Sequence, residues 1–156
     1  MKNSLKKVGI LLFLVVVAIQ FYQPALNQNP DQDYTNDFII TTNAPSNISK
    51  LIKTSCYDCH SNNTDYLWYD YLQPVRMFVE KHITDGKKEL NFNEFGSYSN
   101  RKQQSKLEAI GKQIKSDEMP LTSYTLLHRD AIINEVQKQE LITWINSIKQ
   151  NSLSEK

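Results

Sequence analysis

The stretch Cys56-Tyr57-Asp58-Cys59-His60 constrains the fold of this chain more than any other part of its sequence. The chain has only two cysteines, and both lie in this C-x-x-C-H pentad, directly before one of the three histidines. Two thiols one helical turn apart can each add to a vinyl group of the same porphyrin, and the adjacent imidazole can then ligate the iron. The pattern is typical of c-type haem attachment. We therefore expect thioether bonds at Cys56 and Cys59, with His60 as the proximal iron ligand.

Three other interpretations of the pentad stay open. A redox dithiol of the thioredoxin type expects a βαβ context, which the sequence does not suggest. A zinc site would need two further ligands, whereas His82 and His128 are single and far apart. A plain disulfide between Cys56 and Cys59 would close a very small loop and add little stability.

The N-terminus predicts a membrane anchor. Lys2, Lys6 and Lys7 precede an unbroken apolar stretch over residues 8–19. Because no small-x-small cleavage site follows, we expect an uncleaved signal anchor or transmembrane segment over residues 1–22. The positive-inside rule would place the domain on the periplasmic side of the inner membrane, where bacteria generally attach c-type haem. The alternative is a cleaved signal peptide and a soluble periplasmic protein.

The rest of the chain divides into a polar tether over residues 23–44 and a haem-binding domain over residues 45–150. The tether is rich in Asn, Gln and Asp and holds Pro24 and Pro30. We expect an all-α domain, because apolar residues recur at helical spacing and no segment alternates with period two. The predicted helices run from Ser46 into the pentad, from Pro74 to about Asp85 with Gly86 as the stop, from Ser99 to Ser116, and from a capping-box-like start at Asn134 and Gln137.

Four further side chains are candidates for the haem site. Met119 precedes Pro120 in a loop between helices, where a thioether could be delivered to the opposite face of the iron, although a lone Met is usually core. His82 lies on the apolar side of its helix, as a hydrogen-bonded core residue or as a fallback distal ligand. Tyr66 and Trp68 belong to an aromatic cluster that packs in the core or forms a wall of the haem pocket.

The order of these features resembles class I cytochromes c, and more closely the bacterial haem-binding domain family typical of Bacteroidetes, whose members are short, exported and usually anchored by one N-terminal segment. The match covers roughly residues 45–147. The matching positions are Cys56 to Asn62, Tyr66, Trp68, Tyr69, Pro74, Val75, His82, Gly86, Leu90 to Phe92, Met119, Pro120, Tyr124, His128, Ala131, Leu141 and Trp144. The sequence departs from the family pattern at Phe95, Arg129, Asn134 and Gln137. The resemblance implies a cytochrome c-like helical fold around one covalent haem c, with Met119 as distal ligand by analogy with cytochrome c.

The function that follows is single-electron transfer by a membrane-anchored monohaem cytochrome, not catalysis. Its partners would be periplasmic or membrane redox proteins that bind transiently. With 18 basic and 17 acidic residues, the net charge of +1 gives no reason to expect nucleic-acid binding. The second hypothesis is a haem-based sensor or binding module with an open or labile sixth iron position. The third is a peroxidase-like enzyme, in which His82 or His128 would act as distal acid or base.

Overall fold

The computed structural model describes residues 2–154, and over this range the chain is built from α-helices and short 3-10 segments without a β-strand. The prediction of an all-α protein is therefore confirmed for these residues. The helices are α1 (Lys2–Ile19), α2 (Phe38–Thr41), α3 (Ser46–His60), α4 (Val75–Glu89), α5 (Asn100–Lys115), α6 (Thr122–Thr125) and α7 (Glu135–Ser154). The 3-10 segments are Trp68–Tyr71, Phe92–Ser97 and Arg129–Ala131.

The core lies where α3 packs against α4 and α7, and where α5 packs along α7. Apolar side chains one or two turns apart on each helix share one buried face, as their helical spacing predicts. The buried members on these helices are Ile48, Leu51 and Ile52 on α3, Ile83 on α4, Leu107 and Ile114 on α5, and Leu141 and Ile145 on α7. Val136, near the start of α7, is not part of this buried set, and its side chain is 68% exposed.

Part of the predicted tether folds onto this core. The side chain of Asp37 caps α2, and Phe38, the first residue of that helix, is fully buried. The ring of Phe38 lies 5.0 Å from Phe92 and 4.7 Å from Phe95, between centroids, and 5.8 Å from Trp144. The division of the chain at residue 44 stays a prediction, but a single short apolar helix inside residues 23–44 contributes to the core.

Two predicted helix ends have different outcomes. The reciprocal cap at the start of α7 is confirmed: the amide of Asn134 donates to Gln137 Oε1, and the amide of Gln137 donates to Asn134 Oδ1, each over 2.9 Å. The stop at Gly86 is wrong, because α4 continues to Glu89. Gly86 serves close packing against α3 instead of ending its own helix.

The prediction of a single N-terminal membrane anchor is also wrong. Among residues 2–154, no helix is long and apolar enough to cross a membrane. In α1 the lysines at 2, 6 and 7 occupy the first turns, and only residues 8–19 are continuously apolar. At 1.5 Å per residue this stretch rises about 18 Å, well short of a hydrocarbon layer of about 30 Å. Met1, the first residue of the predicted anchor, lies outside the described range.

Candidate functional site

The pentad forms the last turn of α3. Residues three apart on a helix lie on the same face, so the side chains of Cys56 and Cys59 point to one side. Both thiols are half-buried and unpaired by any disulfide. Ser61 caps the helix in an extended conformation and turns the chain away directly after His60. The local sequence thus presents two thiols and an imidazole at one helix end.

These three side chains line a cavity of about 280 Å³, here called the central cavity. It lies between the end of α3, the second half of α4 and the segment that follows α5. Its lining residues are Ser55, Cys56, Asp58, Cys59 and His60 from α3, His82, Asp85, Gly86 and Glu89 from α4, and Met119, Pro120, Leu121 and Tyr124. The structure therefore brings the pentad, Met119 and His82 together.

Two smaller cavities share walls with the central cavity. One, of about 160 Å³, shares Cys59 and His82 with the central cavity and is also lined by apolar side chains such as Val75, Phe78 and Leu127. The other, of about 230 Å³, shares Cys56, His60 and Met119 with the central cavity. Its apolar wall consists of Leu90, Phe92, Ala109, Ile110 and Ile114. Because each of them shares lining residues with the central cavity, the three cavities are here together called the trough.

The imidazole of His60 is held in one tautomer. Its Nδ1 lies 3.0 Å from the carbonyl oxygen of Leu90, which can only accept, so Nδ1 carries the proton and Nε2 keeps its lone pair. The edge of the ring meets Phe92, with centroids 6.0 Å apart and planes at 70°. Burial lowers the pKa of His60, which favours the neutral form that binds metals. Such a carbonyl contact is the usual way in which proteins orient a ligating histidine.

Met119 reaches the trough because α5 ends in a tight turn. Asp117 has a φ of 58°, in the left-handed region, and the amides of Glu118 and Met119 both donate to the carbonyl oxygen of Gln113, over 3.1 and 3.3 Å. This turn folds the chain back towards α3. The half-buried thioether of Met119 then lines the central cavity and the cavity beside Cys56. The loop position that the sequence indicated is compatible with delivery of a soft ligand.

The two remaining histidines occupy different surroundings. His82 lines the central cavity, and its Nδ1 lies 2.8 Å from the carbonyl oxygen of Phe78, which leaves Nε2 as an acceptor. His128 lines only the cavity beside Cys59. Its Nε2 lies 2.7 Å from the hydroxyl of Tyr69, and its ring stacks on Tyr124 at 4.0 Å. Of these two, His82 is therefore the one that shares the central cavity with His60.

The aromatic wall differs from the one expected. Trp68 is 76% exposed and, like Tyr66, lines none of the three cavities of the trough. The hydroxyl of Tyr66 donates to Glu80 Oε1 and accepts from the backbone amide of Asn27, each over 2.7 Å. Tyr69 and Tyr124 face the trough instead. Neither helical nor strand spacing predicts which of these rings face the trough, because residues 68–71 form a 3-10 turn.

Tyr124 is a site residue that sequence reasoning left without a role. Its hydroxyl donates to Asp58 Oδ2 over 2.6 Å and thereby joins α6 to the middle of the pentad. Burial and the neighbouring Asp58 raise the pKa of Tyr124, so the phenol stays protonated and remains a donor. The only sequence signal was its place among the residues that carry the family resemblance.

The donor set fits a haem. Two thiols on one face match two vinyl positions, the imidazole of His60 lies next to them, and a thioether shares their cavity. Most of the surface that lines the flanks of the trough is apolar, as a porphyrin requires, although Asp65 and Asp70 on one side and Glu89 and Lys106 on the other also line them. Burial raises the pKa of Cys56 to about 12 and of Cys59 to about 11, so both are thiols at neutral pH. Within the described residues, no three His, Cys, Asp or Glu side chains group as metal ligands, and a zinc interpretation finds no further ligands there.

Comparison with known proteins agrees with this geometry. The model of the haem-binding domain family matches residues 14–147, which is most of the chain and includes the pentad, His82 and Met119. No match was found among curated proteins or among solved structures. The cytochrome c-like fold implied by the resemblance therefore stays a prediction, whereas membership of the family is shown by the match. The chain belongs to the haem-binding domain family, and haem is the cofactor that this family binds.

Proposed function

We propose that this protein carries single electrons on one haem c, bound covalently at Cys56 and Cys59, with His60 and Met119 as the axial ligands. One observation carries the proposal: the four side chains line one cavity, although Met119 is far from the pentad in sequence. When bound, the haem supplies an iron that cycles between Fe(II) and Fe(III). We infer a carrier of electrons instead of an enzyme because a thioether in the sixth position would leave no open site for a substrate.

The surrounding residues would tune and protect this site. The carbonyl of Leu90 holds the His60 ring in the orientation needed for ligation. A soft thioether from Met119 favours Fe(II) more than a second imidazole does, which raises the reduction potential. The apolar walls of the two flanking cavities would exclude water, and burial of this kind raises the potential further.

The partners we propose are other redox proteins that bind transiently. The cavity beside Cys59 opens among exposed apolar side chains, namely Val75 at 37%, Phe78 at 53% and Leu127 at 61% exposure. A small apolar rim next to a cofactor edge suits the short-lived, limited contacts of electron-transfer complexes. The net charge of +1 gives no strong long-range steering towards a partner of either sign.

A second candidate is a haem-based sensor or binding module, and the position of His82 favours it. The imidazole lines the same cavity as Met119, so it could occupy the sixth position weakly and yield it to an external ligand. In a peroxidase-like enzyme, the same ring would serve as distal acid or base. Both alternatives require that Met119 does not bind the iron.

The optical spectra of the protein produced together with a haem-attachment system, oxidised and reduced, test the proposal. We expect a covalent c-type spectrum with a weak near-infrared charge-transfer band that Met119→Ala abolishes. Met77→Ala is the matched control, because Met77 is 48% exposed and lines none of the three cavities. A covalent haem spectrum without this band, unchanged by Met119→Ala and altered by His82→Ala, would support the second candidate. A protein without covalent haem would overturn the proposal.

A further inference from the structure

A buried carboxylate lies in the segment whose composition suggests only a tether. Asp37 is 3% exposed, and its carboxylate accepts hydrogen bonds from three donors. Oδ1 accepts from the amide of Ile39 and the hydroxyl of Tyr57, each over 3.0 Å. Oδ2 accepts from the same hydroxyl over 3.1 Å and from Asn93 Nδ2 over 2.8 Å. All these donors are neutral, although burial of a charge is costly unless it is well compensated.

Two of these donors lead directly to the haem-binding pentad. Tyr57 is its second residue, and the Tyr57 ring stacks on Phe92 with centroids 5.0 Å apart and planes at 7°. The same Phe92 meets the edge of the His60 imidazole. Asp37 is thus connected to the proximal ligand through one hydroxyl and two ring contacts.

The second connection reaches the other end of the pentad. Asn93, which donates to Asp37, accepts from the backbone amide of Asn62 over 2.7 Å through its Oδ1. Asn62 lies two residues after His60, and its own side chain accepts from Asn91 Nδ2 over 2.8 Å. The network therefore holds the chain on both sides of the histidine, and Asp37 is its common acceptor.

We propose that Asp37 is a positioning residue for the haem site, which fixes the orientation of His60 through Tyr57 and Asn93 and lowers the reduction potential of the iron bound there. The inference rests on the proposed function. A buried negative charge stabilises Fe(III) relative to Fe(II), because the oxidised iron carries one more positive charge.

The test compares midpoint potentials of the haem-loaded variants, measured by spectroscopic redox titration. Asp37→Asn keeps an oxygen that can cap α2 and accept from Tyr57, but it removes the charge. We expect its potential to rise, with the Fe(III)/Fe(II) ratio at a fixed potential falling severalfold. Asp33→Asn is the control, because Asp33 lies exposed in the same segment, and it should leave the potential unchanged. Covalent haem with an unchanged potential in Asp37→Asn would overturn the inference.

A second variant separates charge from damaged packing. In Asp37→Asn the new amide group faces Asn93 Nδ2, while Asn93 Oδ1 is engaged by the amide of Asn62. Asp37→Asn combined with Asn93→Asp restores the donor and acceptor pattern and returns a carboxylate to the network. We expect the potential to return towards the original value in this double variant. A potential that remains as high as in the single variant would overturn the role of the charge.

The positioning role has a readout that needs no haem. Tyr57→Phe keeps the ring on Phe92 but removes the hydroxyl, so urea unfolding of the apo-protein can measure the coupling between positions 37 and 57 in a double-mutant cycle. We expect the two changes to be non-additive and, in the loaded protein, Tyr57→Phe to alter the paramagnetic NMR signals of His60. Strict additivity with unaltered His60 signals would overturn the positioning role. Wild-type protein without covalent haem would instead refute the proposed function, before any variant is compared.

Discussion

A β-carbon on Gly86 would lie only 2.8 Å from the carbonyl oxygen of Cys59 and 3.3 Å from Cε1 of His60. The absence of a side chain at this position lets α4 touch the backbone of the last turn of α3. The contact joins the helix that carries His82 to the turn that carries the pentad. Because backbone cannot move aside as a flexible side chain can, the spacing of the two helices at the trough depends on this residue.

The first prediction concerns Gly86→Ala. The added methyl group would push α4 away from Cys59, and overpacking of this kind lowers the free energy of unfolding by about 1–3 kcal/mol. The higher helix propensity of alanine offsets up to about 1 kcal/mol of this loss. We expect a lower free energy of unfolding in urea and, in the loaded protein, a perturbed absorption spectrum. Gly111→Ala is the matched control: it also lies inside a helix, and a β-carbon there meets nothing within 4 Å. The control should gain about 0.5–1 kcal/mol. Equal effects of the two variants would contradict the close contact.

The second prediction is a loss of stability of the reduced apo-protein at alkaline pH. Burial raises the pKa of Cys56 from its ordinary 9.0 to about 12 and that of Cys59 to about 11. Between pH 9 and about 11–12 the unfolded chain releases thiol protons that the folded chain keeps, so rising pH favours unfolding. Below pH 9 both states hold these protons, and the thiols cause no pH dependence.

Urea unfolding of the apo-protein under reducing conditions at pH 8, 9 and 10 measures this effect. The expected loss is on the order of 1 kcal/mol per pH unit above 9 for each thiol. Tyrosines of the unfolded chain also lose protons near pH 10, so the double variant Cys56→Ser with Cys59→Ser serves as the reference. Its stability should decline less steeply than that of the wild type, and parallel declines would show that the thiols are not protected by burial.

The third prediction tests the cap of α7. Asn134→Ala removes the acceptor for the amide of Gln137 and one half of the reciprocal pair. Loss of such a cap costs about 1 kcal/mol, measured as a lower midpoint in thermal or urea unfolding. Asn146→Ala is the control, since Asn146 lies exposed within the same helix, and there alanine should raise stability by a few tenths of a kcal/mol. A neutral Asn134→Ala would mean that the helix start does not depend on this side chain.

The sequence predicted best where one strong local signal decided the outcome. The periodic apolar residues before the pentad predicted α3, and the pair Asn134 and Gln137 predicted the start of α7. The pentad and Met119, picked out by ligand chemistry, line one cavity in the structure. These predictions needed only spacing and side-chain chemistry.

Prediction was poorer where long-range packing overrides local composition. Phe38 begins a run of only three apolar residues inside a polar stretch, and nothing near it in sequence shows that three distant aromatic rings surround it. Gly86 resembles a helix stop when α4 is considered alone, because only the neighbouring helix explains it. The apolar run near the N-terminus has the composition of an anchor, but its length falls short of what a membrane requires. Trp68 shows the same limit, since aromatic character does not tell which ring faces the trough.

The burial of Phe38 and Asp37 bears on how this protein can be shortened for laboratory work. A fragment that starts at residue 45 would retain the pentad and Met119. It would lack the Phe38 ring that packs against Phe92, Phe95 and Trp144, and the Tyr57 hydroxyl would lose its acceptor Asp37. Such a fragment would expose aromatic surface next to the proximal histidine and invite aggregation. Truncation is better placed before residue 27, because Asn27 Nδ2 donates to the carbonyl oxygen of Ser61 and to Thr64 Oγ1, each over 2.9 Å. The carbonyl of residue 36 also accepts from the amide of Gly96 over 2.8 Å.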